Sequence, residues 1–285
     1  IVTAQKRTES LQDVPISVTP ISGELIQDAS IRSFNELGAY VPNFHLSENP
    51  VNTSMTLRGS SIGANQSFEQ SVGIFVDGVH YGRGRQSRLG LFDLEQIEVL
   101  RGPQGILFGK NTLSGAINVT TAAPKVGEGL SGRIAGSFES DNGKYFEGHV
   151  STSLSDTLAV RLSGMERSVD GYVKNTAPNA NLSDMPTLDE QIFRIGVQWT
   201  PSEQTNVGLR YTSAEFIRKG AMATVSRFQP LPNAPVTNVA MFATMAATFP
   251  NFAPSEDDAY RDAISVGGTE SLNGGNGPER LEGTD

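Results

Sequence analysis

Three arginines, Arg83, Arg85 and Arg88, fall within six residues of one glycine-punctuated stretch, directly after His80 and Tyr81. Guanidinium groups at this density suit bidentate capture of an anion. They suit equally well pairing with carboxylates elsewhere in the protein, or plain solvation. The three histidines, His45, His80 and His149, lie too far apart for a metal-ligand spacing. The absence of cysteine excludes disulfides, thiolate metal sites and cysteine nucleophiles. No phosphate-binding loop, nucleophile elbow or paired-histidine zinc motif occurs. Gly82-Arg83-Gly84 is no dinucleotide fingerprint, because no glycine-punctuated helix follows it. The residues therefore call for no metal, no cofactor and no enzyme chemistry; what they suit is binding. A net charge of −9, with the acidic excess gathered after residue 125 and densest in residues 251–285, excludes a nucleic-acid partner, which needs a basic face.

The elements that must carry these residues centre on Glu98 to Thr121, EVLRGPQGILFGKNTLSGAINVTT. A strand at Ile97–Leu100 breaks at Arg101-Gly102-Pro103, passes a loop with glycines at 102, 105, 109 and 115, and gives way to a second strand at Ala116–Thr121. Glycines at that density mean positive φ or the close approach of another backbone. Upstream, the prolines at 15 and 20 confine the extended piece Val14–Pro20 to a sheet edge. Ser22 caps a short helix over 23–29. Ser33–Glu36 reads as a capping box, with Phe34, Leu37 and Tyr40 on one apolar face. Strands follow at Ser54–Arg58 and Val72–Val76, and Asp77-Gly78 signals a tight hairpin turn. A helical turn is expected over Phe92–Gln96. Residues 1–124 read as a small α+β domain.

After Pro124 the pattern becomes long alternating strands. Five are expected, at Leu130–Glu139, Tyr145–Leu154, a third containing Leu158–Ser163, a fourth containing Phe193–Trp199 and a fifth containing Asn206–Thr212. Phe193, Ile195, Val197 and Trp199 share one face, with Arg194, Gly196 and Gln198 on the other. Strands of about ten residues cross a bilayer at a tilt. Strict alternation with a polar second face is the pattern of an outer-membrane barrel; a soluble sandwich also has one apolar face. Connections short at one end (Ser155–Thr157, Pro201–Gln204) and longer at the other (Asp141–Lys144, Ser168–Asp189) favour the barrel, and Trp199 suits an aromatic girdle. Five strands cannot close a barrel, and residues 217–285, rich in Pro, Asn and Gly with a short helix at Val239–Phe249, supply no further ones. The expectation is a chain that stops inside a long external loop.

The run EVLRGPQGILFGKNTLSGAINVTT, with TLRG at Thr56–Gly59, VDGV around Asp77, IVTAQKR at 1–7 and LQDVPISV at 11–18, resembles the plug domain of TonB-dependent outer-membrane receptors. The fold implied is an α+β plug domain over 1–124, with a remnant of the TonB-box segment at 1–5. The first five antiparallel strands of a transmembrane β-barrel follow over 125–216, an incomplete barrel, and a long extracellular loop occupies 217–285. The resemblance implies active uptake of a scarce nutrient, such as a ferric siderophore-like chelate, cobalamin or a glycan, across the Gram-negative outer membrane. It implies TonB as the energy-transducing partner, outer-membrane lipid around the barrel, and a plug that gates the lumen. A surface receptor or adhesin without energised transport is the alternative.

The roles implied for residues follow. Ile1, Val2, Thr3 and Ala4 resemble the end of a TonB box, which would add as a strand to the partner's sheet edge. Asn65, Gln66, His80, Tyr81, Arg83 and Arg85, with Arg88, face the external vestibule and the ligand. Arg58, Glu98 and Arg101 on the plug, with Glu139 and Glu147 on the wall, form a charged lock between plug and barrel, or a static network making the same contacts.

Overall fold

The computed structural model describes residues 12, 16–48, 53–61, 70–175, 184–219, 263–265 and 279–283. The expected extended piece at 1–5, most of the 217–285 segment and the helix at Val239–Phe249 lie outside the described residues.

In chain order the first elements are β1 (Ser17–Ser22), α1 (Gly23–Asp28), a 3-10 turn at Glu36–Ala39, β2 (Phe44–Glu48) and β3 (Thr53–Leu57). Then come β4 (Val72–Val76), β5 (Val79–Tyr81), a second 3-10 turn at Gly84–Arg88, β6 (Leu94–Arg101), α2 (Gly105–Phe108) and β7 (Gly115–Thr121). Five of these strands form a mixed sheet in the order β1-β6-β7-β4-β5, and β2 pairs with β3 alone. Only the β4–β7 pair is parallel. The proline-containing β1 takes the edge, where Pro20 costs no interior ladder bond. Ile74, Ile97, Val99, Ile117 and Val119 are fully buried, packed with Ile26, Leu37, Val41 and Phe44 from the helical side.

Local signals explain most of these elements. The Ser22 hydroxyl accepts from Leu25 N at 3.2 Å and caps α1. The Ser33 hydroxyl accepts from Glu36 N at 3.4 Å, while the Glu36 carboxylate turns back to Arg32 N at 2.6 Å, so the capping box is displaced by one residue. Phe34 and Leu37 are buried as expected, but Tyr40 is exposed and lies outside the core. Asp77 (φ 50°) and Gly78 (φ 82°) make the two-residue turn that brings Val76 opposite Val79.

Phe92–Gln96 is not a helical turn. β6 starts at Leu94, with an irregularity in its pairing between Leu94 and Gln96. Two neighbours impose the strand: β7 on one side, and β1 on the other, where Ser22 pairs with Gln96. The only local break is Asp93, held at φ 50°.

The second body is an antiparallel meander: β8 (Ser131–Phe138), β9 (Lys144–Ser155), β10 (Leu158–Val169), β13 (Thr187–Ser202) and β14 (Thr205–Lys219), adjacent in that order. β11 (Val173–Asn175) and β12 (Asp184–Met185) lie between β10 and β13 in the chain. The five strands stand where the alternation places them, and four run longer than expected. The outward face explains the miss. In β13 it is apolar at Phe193, Ile195, Val197 and Trp199 and then turns polar at Gln191 and Asp189. In β10 it is apolar through Leu162 and then reads Gly164 and Glu166. Pairing continues where the apolar pattern stops. Ile134, Phe138 and Leu209 are 91%, 79% and 69% exposed, so this face is apolar and uncovered.

Residues 139–143, 168–188 and 217–285 group as a separate compact unit. In it β11 and β12 pair with β15 (Ala263–Ser265) and β16 (Glu279–Gly283), in the order β12-β11-β16-β15. The acidic end, expected as part of a long loop, thus holds a strand at Glu279–Gly283, formed by backbone pairing with Val173–Asn175. Asp170 N donates to Asp141 O at 3.0 Å, and Asn142 Nδ2 to Asp170 Oδ2 at 2.9 Å.

One glycine shows how tightly the first sheet is built. A Cβ on Gly115 would lie 2.3 Å from Leu100 O and 2.4 Å from Leu57 Cδ2. Gly115→Ala is expected to cost about 1–3 kcal/mol through overpacking. Hydrogen exchange on the purified protein reads this as faster exchange of the β6 and β7 amides; unchanged protection there contradicts the packing described.

Candidate functional site

The inward face of the five strands carries arginines at central positions: Arg133 on β8, Arg161 on β10, Arg194 on β13 and Arg210 on β14. The first sheet meets them with two aspartates, each at a positive-φ turn at the end of a strand. Asp93 precedes β6 and Asp77 follows β4.

Asp93 is the centre. Arg161 grips its carboxylate as a fork, with Nη2 at 2.5 Å from Oδ1 and Nε at 3.1 Å from Oδ2. Arg194, 93% buried, donates from Nη1 to the carbonyls of Phe92 at 3.2 Å and Asp93 at 3.1 Å; the same nitrogen lies 3.9 Å from Asp93 Oδ2. The Asp93 carbonyl also accepts from Ala122 N at 2.9 Å. Burial alone would raise the Asp93 carboxyl. The hydrogen bonds and charge of Arg161, with the charge of Arg194, outweigh it and hold the group below the usual carboxylate range.

Asp77 repeats the arrangement nearer solvent. Its carboxylate accepts from Thr121 N at 2.9 Å and Thr121 Oγ1 at 2.8 Å, which ties the β4–β5 turn to the end of β7. Arg210 Nη1 reaches the same carboxylate at 2.5 Å. A third tie joins Gly90 N to the Glu190 carboxylate of β13. A Cβ at Gly90 would lie within 2.9 Å of both Glu190 carboxylate oxygens, so the approach requires glycine. Phe92 packs with Tyr145, Met165 and Ile192 of the strands, the apolar part of the junction. On the β8–β9 side, Arg32 lies 3.8 Å above the Tyr145 ring and donates to Ser137 Oγ at 2.8 Å, and Arg133 donates to Gln27 Oε1.

The structure distributes the expected site residues widely. Glu98 is fully buried and accepts from Asn118 Nδ2 at 2.8 Å, across the β6–β7 pair. Arg101 donates to Thr19 Oγ1 at 2.9 Å, on the edge strand. Arg58 is exposed, at φ 54°, with its guanidinium beside Gly102. Glu147 accepts from the Tyr145 hydroxyl at 2.7 Å, and Glu139 N donates to Gly143 O at 2.8 Å in the β8–β9 turn. His80 is exposed with its ring 5.0 Å from that of Phe75, while Tyr81 packs on the core. Arg83 is exposed, and its backbone N donates to Gln86 Oε1 at 3.0 Å. Arg88 is the correction among the three arginines. It is 96% buried and donates from Nε to Thr53 Oγ1 at 2.6 Å, so it braces the loop from within instead of facing a ligand. Ile1, Val2, Thr3, Ala4, Asn65, Gln66 and the Arg85 side chain lie outside the described residues. Among the described residues no group of three or more His, Asp or Glu could hold a metal ion.

Sequence reasoning missed Asp93, Asp77, Glu190 and Arg32 as contact residues. A signal was present: four arginines on the polar face of neighbouring strands demand carboxylates, and Asp93 sits alone between Phe92 and Leu94.

The Asp93 knot places a charge-paired cluster inside the junction, where removing one partner strands the others. Asp93→Asn is expected to cost about 3–5 kcal/mol. The sign of the pH effect follows from the depressed folded value. The contribution is fully present above the unfolded carboxyl's ordinary value and is lost as pH falls below it, through the depressed folded value. Hydrogen exchange of β6 in the purified protein, followed against pH, checks both. Wild-type and Asp93→Asn proteins that exchange alike at neutral pH would contradict the assignment.

Comparison with known proteins now bears on this geometry. The family described as TonB-dependent Receptor Plug Domain matches residues 10–116. The pesticin receptor of Yersinia pestis is 28% identical over 208 residues, covering 72% of this chain and 30% of the relative. The vitamin B12 transporter BtuB of Vibrio vulnificus is 29% identical over 136 residues, covering 45% of this chain and 21% of the relative. Among solved structures, the ferric yersiniabactin uptake receptor FyuA from Yersinia pestis superposes with a TM-score of 0.66 at 24% identity, covering 74% of this chain and 33% of that one. The chain spans about a third or less of the length of these relatives.

Proposed function

The chain belongs to the TonB-dependent receptors, and from that premise we propose that it is the plug and the first barrel strands of a transporter that takes up a scarce nutrient across the Gram-negative outer membrane. The plug occupies 1–124, the five transmembrane strands lie within 125–219, and the residues after them, to 285, belong to a long extracellular loop. The carrying observation is the two-faced strand wall. Its outward side is apolar and uncovered at Ile134, Phe138 and Leu209, as lipid contact demands. Its inward side holds arginines paired to Asp93 and Asp77 of the plug.

Energy reaches the plug through TonB, with Ile1, Val2, Thr3 and Ala4 adding to the partner's sheet edge. Asn65, Gln66, His80, Tyr81, Arg83 and Arg85 face the ligand. The lock between plug and wall rests on Asp93 and Asp77 with Arg161, Arg194 and Arg210, while Arg58, Glu98 and Arg101 brace the plug from within and Glu147 braces the wall. The protein is not an enzyme. Two of the similar proteins are named for ferric yersiniabactin and for vitamin B12. Of these ligand classes, with glycans as the third, we favour an anionic ferric chelate, because Arg83 is exposed on a loop braced from inside by Arg88.

The test is uptake of labelled ferric siderophores by a strain that carries the full-length receptor as its sole route. Uptake is expected to vanish when TonB, or the segment containing Ile1–Ala4, is removed, while surface binding persists. Uptake that survives either removal contradicts the reading and favours a passive receptor. On the ligand side, Arg83→Ala is expected to weaken binding by about 1.5–3 kcal/mol, roughly tenfold or more, as for a hydrogen bond to a charged group. Unchanged affinity in equilibrium binding removes Arg83 from the ligand site.

A further inference from the structure

The loop that carries Arg83 takes its place from residues outside itself. It runs from Gly82 to Gly90, between Tyr81, which packs on the core, and Leu91, which is buried in it. Glycines at 82, 84 and 90 leave its backbone permissive. Bonds within the loop give it shape: Arg83 N donates to Gln86 Oε1 at 3.0 Å, and Ser87 Oγ to Gly84 O at 2.6 Å. Bonds to other segments set where that shape sits. From the plug, Thr53 Oγ1 accepts from Arg88 Nε at 2.6 Å, and Arg32 O from Leu91 N at 2.9 Å. From the wall, the Glu190 carboxylate accepts from Gly90 N. Gly82 and Arg83, at the other end of the loop, are exposed.

The wall reads this segment residue by residue. Glu190, Ile192 and Arg194 are successive inward positions of β13, and all three are buried. Glu190 meets Gly90, Ile192 packs with Phe92, and Arg194 binds the carbonyls of Phe92 and Asp93. Glu190 is the member of this row nearest in sequence to the loop, and it is 97% buried. Desolvating a carboxylate is costly, and a neutral acceptor would satisfy a backbone N–H with less desolvation. Its two oxygens press on bare backbone: a Cβ at Gly90 would lie 2.8 and 2.9 Å from them. We propose that Glu190 is a positioning residue for ligand capture: through the Gly90 N–H, the wall sets the place from which Arg83 meets an anionic chelate. This rests on the ligand reading of Arg83 above and adds to it a residue that touches no ligand. A binding group must be held within about 0.5 Å of its productive place, and a loop with three glycines, freed at one anchor, has the backbone freedom to exceed that.

The test is a double-mutant cycle on the purified full-length receptor. Equilibrium binding is measured for a ferric catecholate, a ferric hydroxamate and a ferric phenolate chelate, and the one that the wild type binds most tightly is carried through the cycle. Glu190→Met keeps the volume and removes the acceptor. Glu190→Gln keeps both and removes the charge. Glu190→Met is expected to weaken binding about tenfold, as for one lost hydrogen bond, and Glu190→Gln to bind within about threefold of wild type. With Arg83→Ala already present, Glu190→Met is expected to change affinity less than about twofold, because the loop then has no guanidinium to place. A residue that only stabilises the fold would cost the same in both backgrounds. Full affinity in Glu190→Met, a loss that Glu190→Gln does not recover, or equal losses in the two backgrounds overturns the proposal.

A second variant guards against failed assembly of Glu190→Met. Glu190→Asp keeps the charge and draws the acceptor back by one carbon. It is expected to weaken binding at least about threefold, and only where Arg83 is present. Equal affinity to wild type, or the same loss without Arg83, overturns the proposal. A wild-type receptor that binds none of the three chelates, or an Arg83→Ala receptor that binds as wild type, removes the ligand reading, and the positioning role with it. Weakened binding in Arg83→Ala beside full affinity in Glu190→Met removes the positioning role alone.

Discussion

The structure turns on a carboxylate that cannot be solvated. Asp93 lies at a positive-φ turn, within a junction whose apolar part is Phe92, Tyr145, Met165 and Ile192. Its charge is kept by two arginines that reach in from separate strands of the wall. The constraint is mutual. Without the arginines the aspartate would have to protonate; without the aspartate, two guanidinium groups would stand on a half-buried strand face without their counter-charge. This fixes which face of the amphipathic strands looks inward. A slip of one residue in any of them would turn its arginine outward and its apolar residues toward the plug.

The remaining ties extend that registration over the junction. Asp77 couples the β4–β5 turn both to Thr121 and to Arg210, so the turn, the end of β7 and the fifth strand of the wall form one connected polar group. Gly90 brings a loop backbone against Glu190 where a side chain would not fit. Each contact joins a loop or strand end of the plug to a residue within a wall strand.

Much of this was legible in the sequence because it is local or periodic. Ser22 as a cap, Asp77-Gly78 as a hairpin turn and Pro20 on an edge strand each follow from one residue's backbone chemistry. The five wall strands follow from alternation, and Trp199 marks the end where the turns are short. What stayed hidden depended on meetings between distant residues. The start of β6 at Leu94 is imposed by its neighbours β1 and β7, against a local reading of a helical turn. Arg88 looks like its exposed neighbour Arg83 in sequence, and only burial against Thr53 sets it apart as a brace. The ends of β10 and β13 were lost because their outward faces turn charged at Glu166 and Asp189, where an apolar pattern gives no further signal.

The most direct measurement is an electron cryo-microscopy structure of the full-length receptor in a lipid bilayer. The account predicts the Asp93 carboxylate forked on Arg161 and beside Arg194 inside a closed lumen, with Ile134, Phe138 and Leu209 facing lipid. A structure in which Asp93 is solvated, or in which those apolar residues face the plug and the arginines face outward, would contradict it.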